Sequence, residues 1–159
     1  MDKNKVVLFD IDYTLFDTAL FKESKLSKHK VYEEVIEVLD YLKKSATLGV
    51  FSEGNIDSQR RKLKETNIDK YFDKDHTHVV LKKLDELKRV LKNYENRQIF
   101  FVDDKLSILF DAKKIFPKVI AIWVKRGVYA ENQKEIPGFR PDAEVENLSE
   151  VVKIVKSKL

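Results

Sequence analysis

Five short runs constrain the fold more than any other feature of the chain: KVVLFD (5–10), TLGVFS (47–52), THVVL (77–81), QIFFVD (98–103) and KVIAIWV (118–124). Most are apolar at consecutive positions, so both faces of each strand need cover, as in a parallel sheet packed between helices. The stretches between them carry apolar residues at helical spacing. Val31, Val35, Val38, Leu39 and Leu42 form one stripe over 31–44, and Leu84, Leu87, Leu91 and Tyr94 form another over 82–94. A third stripe runs through Leu148, Val151, Val152, Val155 and Leu159. Shorter helices are predicted over 55–66 and 105–116, the latter stopped by Pro117. Strand and helix alternate, which predicts a Rossmann-like three-layer α/β/α sandwich around a mostly parallel sheet. Only four Gly and three Pro interrupt 159 residues, so loops are expected to be short and 1–159 reads as one domain.

In sheets of this kind ligands bind beyond the carboxyl ends of the strands. The first run ends in Asp10-Ile11-Asp12, the second in Ser52-Glu53-Gly54-Asn55 and the fourth in Asp103-Asp104. Desolvation and charge repulsion both oppose ending a buried strand in crowded carboxylates, so something must compensate. The chain has no cysteine. Crowded carboxylates without thiols favour a hard, oxygen-seeking cation, and Mg²⁺ fits best. Beside such a cation a carboxylate can attack phosphorus. Asp10, fixed at a strand end, is the better placed nucleophile. Asp12, on the following turn, could protonate the leaving oxygen and later activate water, and Thr14 could tie the turn together through its hydroxyl. Each piece also has a plainer reading: Asp10 and Asp12 as a helix-capping pair, Ser52 to Asn55 as the start of the next helix, Asp103 and Asp104 as the cap of 105–116.

The same residues match a family. DIDYTL resembles the Asp-x-Asp-x-Thr signature of the haloacid dehalogenase-like hydrolases, VFSEGN resembles their second motif and FFVDDK their acidic fourth motif, in that order along the chain. PDAEVENLSEVV is similar to the family's final strand and helix. The resemblance implies a phosphatase that works through an aspartyl-phosphate. Asp10 would be nucleophile and metal ligand, and Asp12 general acid/base with its carbonyl on Mg²⁺. Ser52 would take the phosphate-binding hydroxyl position, with Thr14, Gly54 and Asn55 around the substrate. Asp104 would be the main metal ligand of the last motif, with Asp103 supporting it. The third motif requires a lysine, and Lys82 and Lys83 both stand just before a helix; Lys82 is favoured for catalysis, leaving Lys83 beside the substrate. The family's dehalogenases lack the second Asp, so Asp12 points away from dehalogenation. A helix of about four turns and a strand fill more than half of the interval from Asp10 to Ser52, and a helix and a strand fill the one from Ser52 to Lys82. Neither leaves room for a cap domain, and 18–30 could form a small flap at most. An open, capless site would suit a bulky phosphorylated substrate, or one closed off by a partner subunit, in a monomer or a homodimer.

Charge and hydropathy narrow the remaining classes. Lys plus Arg number 31 against 27 acidic residues, a net charge of +4, which permits nucleic-acid binding without indicating it. The polar start MDKNK and the lack of any long apolar run predict a cytoplasmic protein without a membrane partner. His76 and His78, two apart, would face one side of a strand, with no further metal ligand nearby beyond Asp75. Arg126 or Arg140, in the irregular stretch 125–141, could reach a substrate. The expectation is therefore a Mg²⁺-dependent phosphomonoesterase. The alternatives are a phosphatase for nucleic-acid ends or phosphoproteins, and a non-catalytic phosphate-binding or interaction module.

Overall fold

The computed structural model describes residues 3–157, so Leu159 of the predicted C-terminal stripe lies outside the described residues. Among the described residues there are six strands: β1 (Lys5–Phe9), β2 (Ala46–Glu53), β3 (Thr77–Val80), β4 (Gln98–Asp103), β5 (Ile120–Val124) and β6 (Ala143–Val145). Seven α-helices connect or flank them: α1 (Thr18–Glu23), α2 (Val35–Leu42), α3 (Ile56–Glu65), α4 (Lys83–Lys92), α5 (Leu106–Ile115), α6 (Val128–Glu131) and α7 (Ser149–Ser157). The strands form one sheet in the order β3-β2-β1-β4-β5-β6. Every pairing is parallel, so the expected α/β fold holds and the sheet is more uniform than expected.

Alternation along each strand divides the core. Val7 and Phe9 of β1 face α2, α3 and α7 through Val38, Leu39, Leu63 and Val151. Val6 and Leu8 face α4 and α5 through Leu87, Val90, Leu91 and Leu109. Phe9, Phe51, Phe100 and Phe101 are fully buried, each contributing about 1.5–3 kcal/mol of apolar burial. No separate cap is present among the described residues. Between β1 and α2 stand only the turn after Asp10, α1 and the loop to Glu34.

Two helical stripes differ from expectation. Val31 lies before the helix and pairs with Phe16 in an isolated antiparallel bridge, and α2 begins at Val35. Along α4 the inward stripe is Lys83, Leu87, Val90 and Leu91, while Leu84 is 54% exposed. The helix is therefore phased so that Lys83, four residues before Leu87, points at the sheet. No helix of the described residues is long and apolar enough to cross a membrane.

The strand order positions the site. The chain builds outward from β1 to β2 and β3, then returns to the other side of β1 to begin β4. That reversal opens a crevice beyond the ends of β1 and β4, where ligands bind in sheets of this kind. Phe9 is level with Val102, and the Asp10 amide donates to the Val102 carbonyl at 3.0 Å. The register thus sets Asp10 beside Asp103 at the mouth of the crevice.

Candidate active site

Asp10, Asp103 and Asp104 are all buried, and each offers an oxygen within 4.8 Å of the others. One lysine stands among them. Lys83 Nζ donates to Asp10 Oδ1 at 3.2 Å and to Asp103 Oδ2 at 2.6 Å, and Lys83 is 3% exposed. Lys82, the lysine favoured from the sequence, is exposed at the N-cap of α4 and does not line the crevice. The correction follows from helical phase: only Lys83 shares the stripe of Leu87 and Leu91.

Three carboxylates against one ammonium leave the cluster overcharged. Asp103 is well supported, since its Oδ1 also accepts from the Lys105 amide at 2.9 Å. Asp104 is not: neither of its oxygens accepts a hydrogen bond, and its carboxyl faces Asp10, with which it can share a proton. Burial, and then the Asp10 and Asp103 charges, push the Asp104 pKa up to about 11. Burial and the Asp103 charge raise Asp10 to about 6, with Lys83 opposing. Burial disfavours the charged form of Lys83, but the Asp10 and Asp103 carboxylates outweigh it and hold its pKa above the ordinary lysine value. Orphaned buried oxygens in an all-carboxylate cluster fit a hard divalent cation. The residues present can hold one.

Asp12 stands on the turn beyond β1. Its Oδ1 accepts from Lys62 Nζ at 2.8 Å and from the Thr18 hydroxyl at 3.0 Å, and its Oδ2 accepts from Gln59 Nε2 at 3.1 Å. The same Gln59 amide donates to Ser52 Oγ at 2.8 Å. Gln59 and Lys62 lie one turn apart on α3 and are buried, so this helix ties the end of β2 to the turn after β1. Gly54 makes that possible. Its φ is +146°, its amide donates to the Val80 carbonyl at 2.9 Å, and a Cβ there would crowd Gln59 at 3.2 Å.

Other expected residues have different places. The Thr14 hydroxyl is buried without a partner, so it does not tie the turn. Thr18 does: its hydroxyl donates to Asp12 and the Phe16 carbonyl and accepts from the Tyr13 amide. Asn55 caps α3 through Ser58 N at 2.9 Å and does not line the crevice. Ser52 is fully buried behind Gln59 and reaches Asp12 through it. Arg126 is tied to Glu34 at 2.7 Å and to the Thr14 carbonyl, bracing the turn rather than facing a ligand. Exposed Arg140 does not line the crevice. From 125–141 it is Tyr129 that lines it.

Thr18, Gln59 and Lys62 were missed from the sequence. Gln59 and Lys62 carry only a weak signal, two polar residues three apart on a helix that starts at a candidate strand end. The cavity over the cluster has a volume of about 230 Å³. Asp10, Asp12, Lys62, Lys83, Asp103 and Asp104 form its polar floor, and Glu53, Lys22, Lys105 and several apolar side chains complete it.

Comparisons with known proteins place the fold. No curated protein matches the sequence. A candidate haloacid dehalogenase-like hydrolase from Burkholderia xenovorans LB400 shares the fold with a TM-score of 0.81 at 21% identity, over 96% of this chain and 97% of that one. A candidate phosphatase from Clostridium difficile gives 0.73 at 20% identity, over 98% and 100%. A candidate hydrolase of the same superfamily from Bacillus subtilis, bound to magnesium, gives 0.69 at 12% identity, over 97% and 99%. The family profile described as haloacid dehalogenase-like hydrolase matches residues 18–122. With two thirds of its length inside that profile, the chain belongs to the haloacid dehalogenase-like hydrolase family.

Proposed function

We propose that the chain is a capless, Mg²⁺-dependent phosphomonoesterase that passes a phosphoryl group through Asp10. One observation carries the reading: Asp104 keeps both oxygens buried, with no donor reaching either, beside two further buried carboxyl groups. Asp10, Asp103 and Asp104, with the Asp12 carbonyl, would hold the ion, and an all-oxygen set suits Mg²⁺. The magnesium described in the Bacillus subtilis relative supports that choice. Bound there, the ion would neutralise phosphoryl oxygens that otherwise repel an anionic nucleophile.

The chain's own groups then divide the chemistry. An Asp10 carboxylate oxygen attacks phosphorus in line as the ester P–O bond breaks, and Asp12 gives a proton to the departing oxygen. Water next attacks phosphorus, Asp12 takes its proton, and Asp10 is released with inorganic phosphate. Lys83 keeps Asp10 and Asp103 aligned by bridging them. Lys62, Gln59 and Thr18 fix the Asp12 carboxylate, whose side chain stays 28% exposed toward the cavity. Ser52, buried behind Gln59 and outside the cavity lining, acts by accepting from the Gln59 amide and so holding it toward Asp12. Asp12 also sets the reading apart from dehalogenation, which has no use for a proton donor at that position.

Hydrolysis of 4-nitrophenyl phosphate with and without Mg²⁺, with Asp10→Asn alongside, tests this. Turnover that needs Mg²⁺ and disappears in the variant is expected. Turnover that survives Asp10→Asn, or that ignores Mg²⁺, would overturn it.

A further inference from the structure

The mouth of the cavity holds features that phosphoryl transfer does not use. Its walls are Tyr13, Phe21, Leu26, Ile108 and Tyr129, with Lys22 and Lys105 at the rim. Leu26 is 62% exposed although apolar. Its φ is +64° and that of Lys25 is +57°, two consecutive non-glycine residues in the left-handed region. Each such residue costs about 1–3 kcal/mol and persists only where its surroundings hold it, here by closing the end of α1 at the mouth of the cavity. The flap over 18–30 is held firmly. The Leu26 amide donates to the Phe21 carbonyl at 2.8 Å, the Lys28 amide donates to Ser24 Oγ at 2.9 Å, and the His29 ring sits 4.9 Å from that of Phe21.

A tyrosine pair faces the flap. Tyr13, at φ +60°, meets Tyr129 edge to face with ring centres 5.8 Å apart. Gly127, at φ +90°, makes room for the Tyr13 ring that a Cβ would strike. Each ring carries a lysine: Lys22 Nζ lies 5.7 Å from the Tyr13 centre and Lys105 Nζ 4.4 Å from that of Tyr129. Lys105 also approaches Glu53 at 3.9 Å. Lys22 has no ion pair among the described residues, and neither have Lys25, Lys28 and Lys30. These four lysines against one glutamate place three of the chain's four net positive charges on 22–30.

We propose, resting on the phosphatase reading, that this flap selects a compact phosphomonoester whose leaving group has an apolar body and a second anionic group. The cavity of about 230 Å³ is smaller than the roughly 300–1,000 Å³ of drug-sized pockets, which limits the leaving group to a small one. Leu26 and the tyrosine pair cover its apolar body. The charge of the scissile phosphate would be met at the floor, by Lys83 and the cation that Asp10, Asp103 and Asp104 would hold. Lys22, kept at the rim by the Tyr13 ring, is left for the second anion.

Calorimetric binding to the full chain with Mg²⁺ tests this with an isosteric pair, 4-carboxybenzylphosphonate and 4-carbamoylbenzylphosphonate. Their C–P bonds resist hydrolysis, so binding is read without turnover. The carboxylate is expected to bind about fivefold tighter, the ratio of a partly exposed charge pair. The gap should close in Lys22→Gln, while Leu26→Ser should weaken both compounds alike; melting curves confirm that both variants fold. Equal affinities, a gap that persists in Lys22→Gln, or no binding of either compound would overturn the proposal. Preference for the carboxylate without any hydrolysis of 4-nitrophenyl phosphate would refute the phosphatase reading and leave the anion-selective mouth standing. Hydrolysis without preference would do the reverse.

Discussion

Replacing Asp104 with Asn should make the metal-free protein more stable, although it removes a residue from the centre of the site. The native carboxyl is 1% exposed, and no donor reaches either of its oxygens. Its pKa rises from 3.8 to about 11, so the folded state holds a proton that the unfolded chain has lost at neutral pH. The sign follows from linkage: a carboxyl raised on folding destabilises increasingly as pH climbs from 3.8 toward the folded value. At pH 7 the gap is about three pH units, which at about 1.4 kcal/mol per unit is a cost of about 4 kcal/mol. An amide carries no charge and can donate to Asp10 or Asp103, but it is also buried, at a cost of about 1–3 kcal/mol if left unpaired. The net gain should therefore lie between about 1 and 4 kcal/mol, with each kcal/mol raising the melting midpoint by roughly 2–4 °C at this chain length. Chelator-treated protein, unfolded in urea at pH 7, reads it directly. Mg²⁺ at a hundred times its dissociation constant should add about 2.7 kcal/mol to the native chain and far less to the variant. If metal-free Asp104→Asn kept the native circular dichroism but unfolded more readily than the parent, the reasoning from orphaned oxygens would be wrong.

Other outcomes follow from the same geometry. Lys83→Met leaves Asp10 and Asp103 without their bridge and should cost about 3–5 kcal/mol in metal-free protein together with turnover, whereas exposed Lys82→Met should stay within about 0.5 kcal/mol; parallel urea titrations and rate assays separate the two. Lys62→Met should lower kcat more for an alkyl phosphate than for 4-nitrophenyl phosphate, because a nitrophenolate departs without the proton that Asp12 supplies. Equal losses on both esters would show Lys62 to be structural only. His78, whose Nε2 meets the Tyr94 hydroxyl at 2.7 Å, has its pKa lowered to about 4 by burial, with His76 and Arg89 adding. Stability should therefore fall as pH drops from 6.5 toward 4, by about 1 kcal/mol once solvent screening of a partly exposed ring is allowed for. His78→Phe should flatten that acid limb in pH-dependent melting.

The parts of the site that were legible in the sequence are those fixed by strand ends. Apolar runs that stop at Asp10, Ser52 and Asp103 point both to the sheet and to the crevice at its edge, because buried strands need such runs and carboxylates crowded at their ends need compensation. Side chains arriving from helices were harder to read. Lys82 and Lys83 differ by 100° around α4, and the choice turns on which one shares a face with Leu87; the exposed Leu84 obscured that phase. Thr14 and Thr18 exchange roles because the turn after Asp10 coils tightly, with Thr14, Leu15 and Phe16 amides all converging on the Ile11 carbonyl. No local pattern reveals that coil. Gln59 and Lys62 reach Asp12 across 47 and 50 residues of sequence, a contact that depends on how α3 packs. Asn55 shows the opposite error: its position after a strand suggested a ligand contact, and its side chain is spent on capping α3.

The central claim, that Asp10 carries the phosphoryl group, is tested most directly by acid-quenched mass spectrometry of the protein mixed with Mg²⁺ and 4-nitrophenyl phosphate. The account predicts one acid-stable, base-labile phosphoryl adduct, located on Asp10 after proteolysis and absent from Asp10→Asn. Full turnover with an adduct on another residue, or turnover retained by Asp10→Asn, would contradict it.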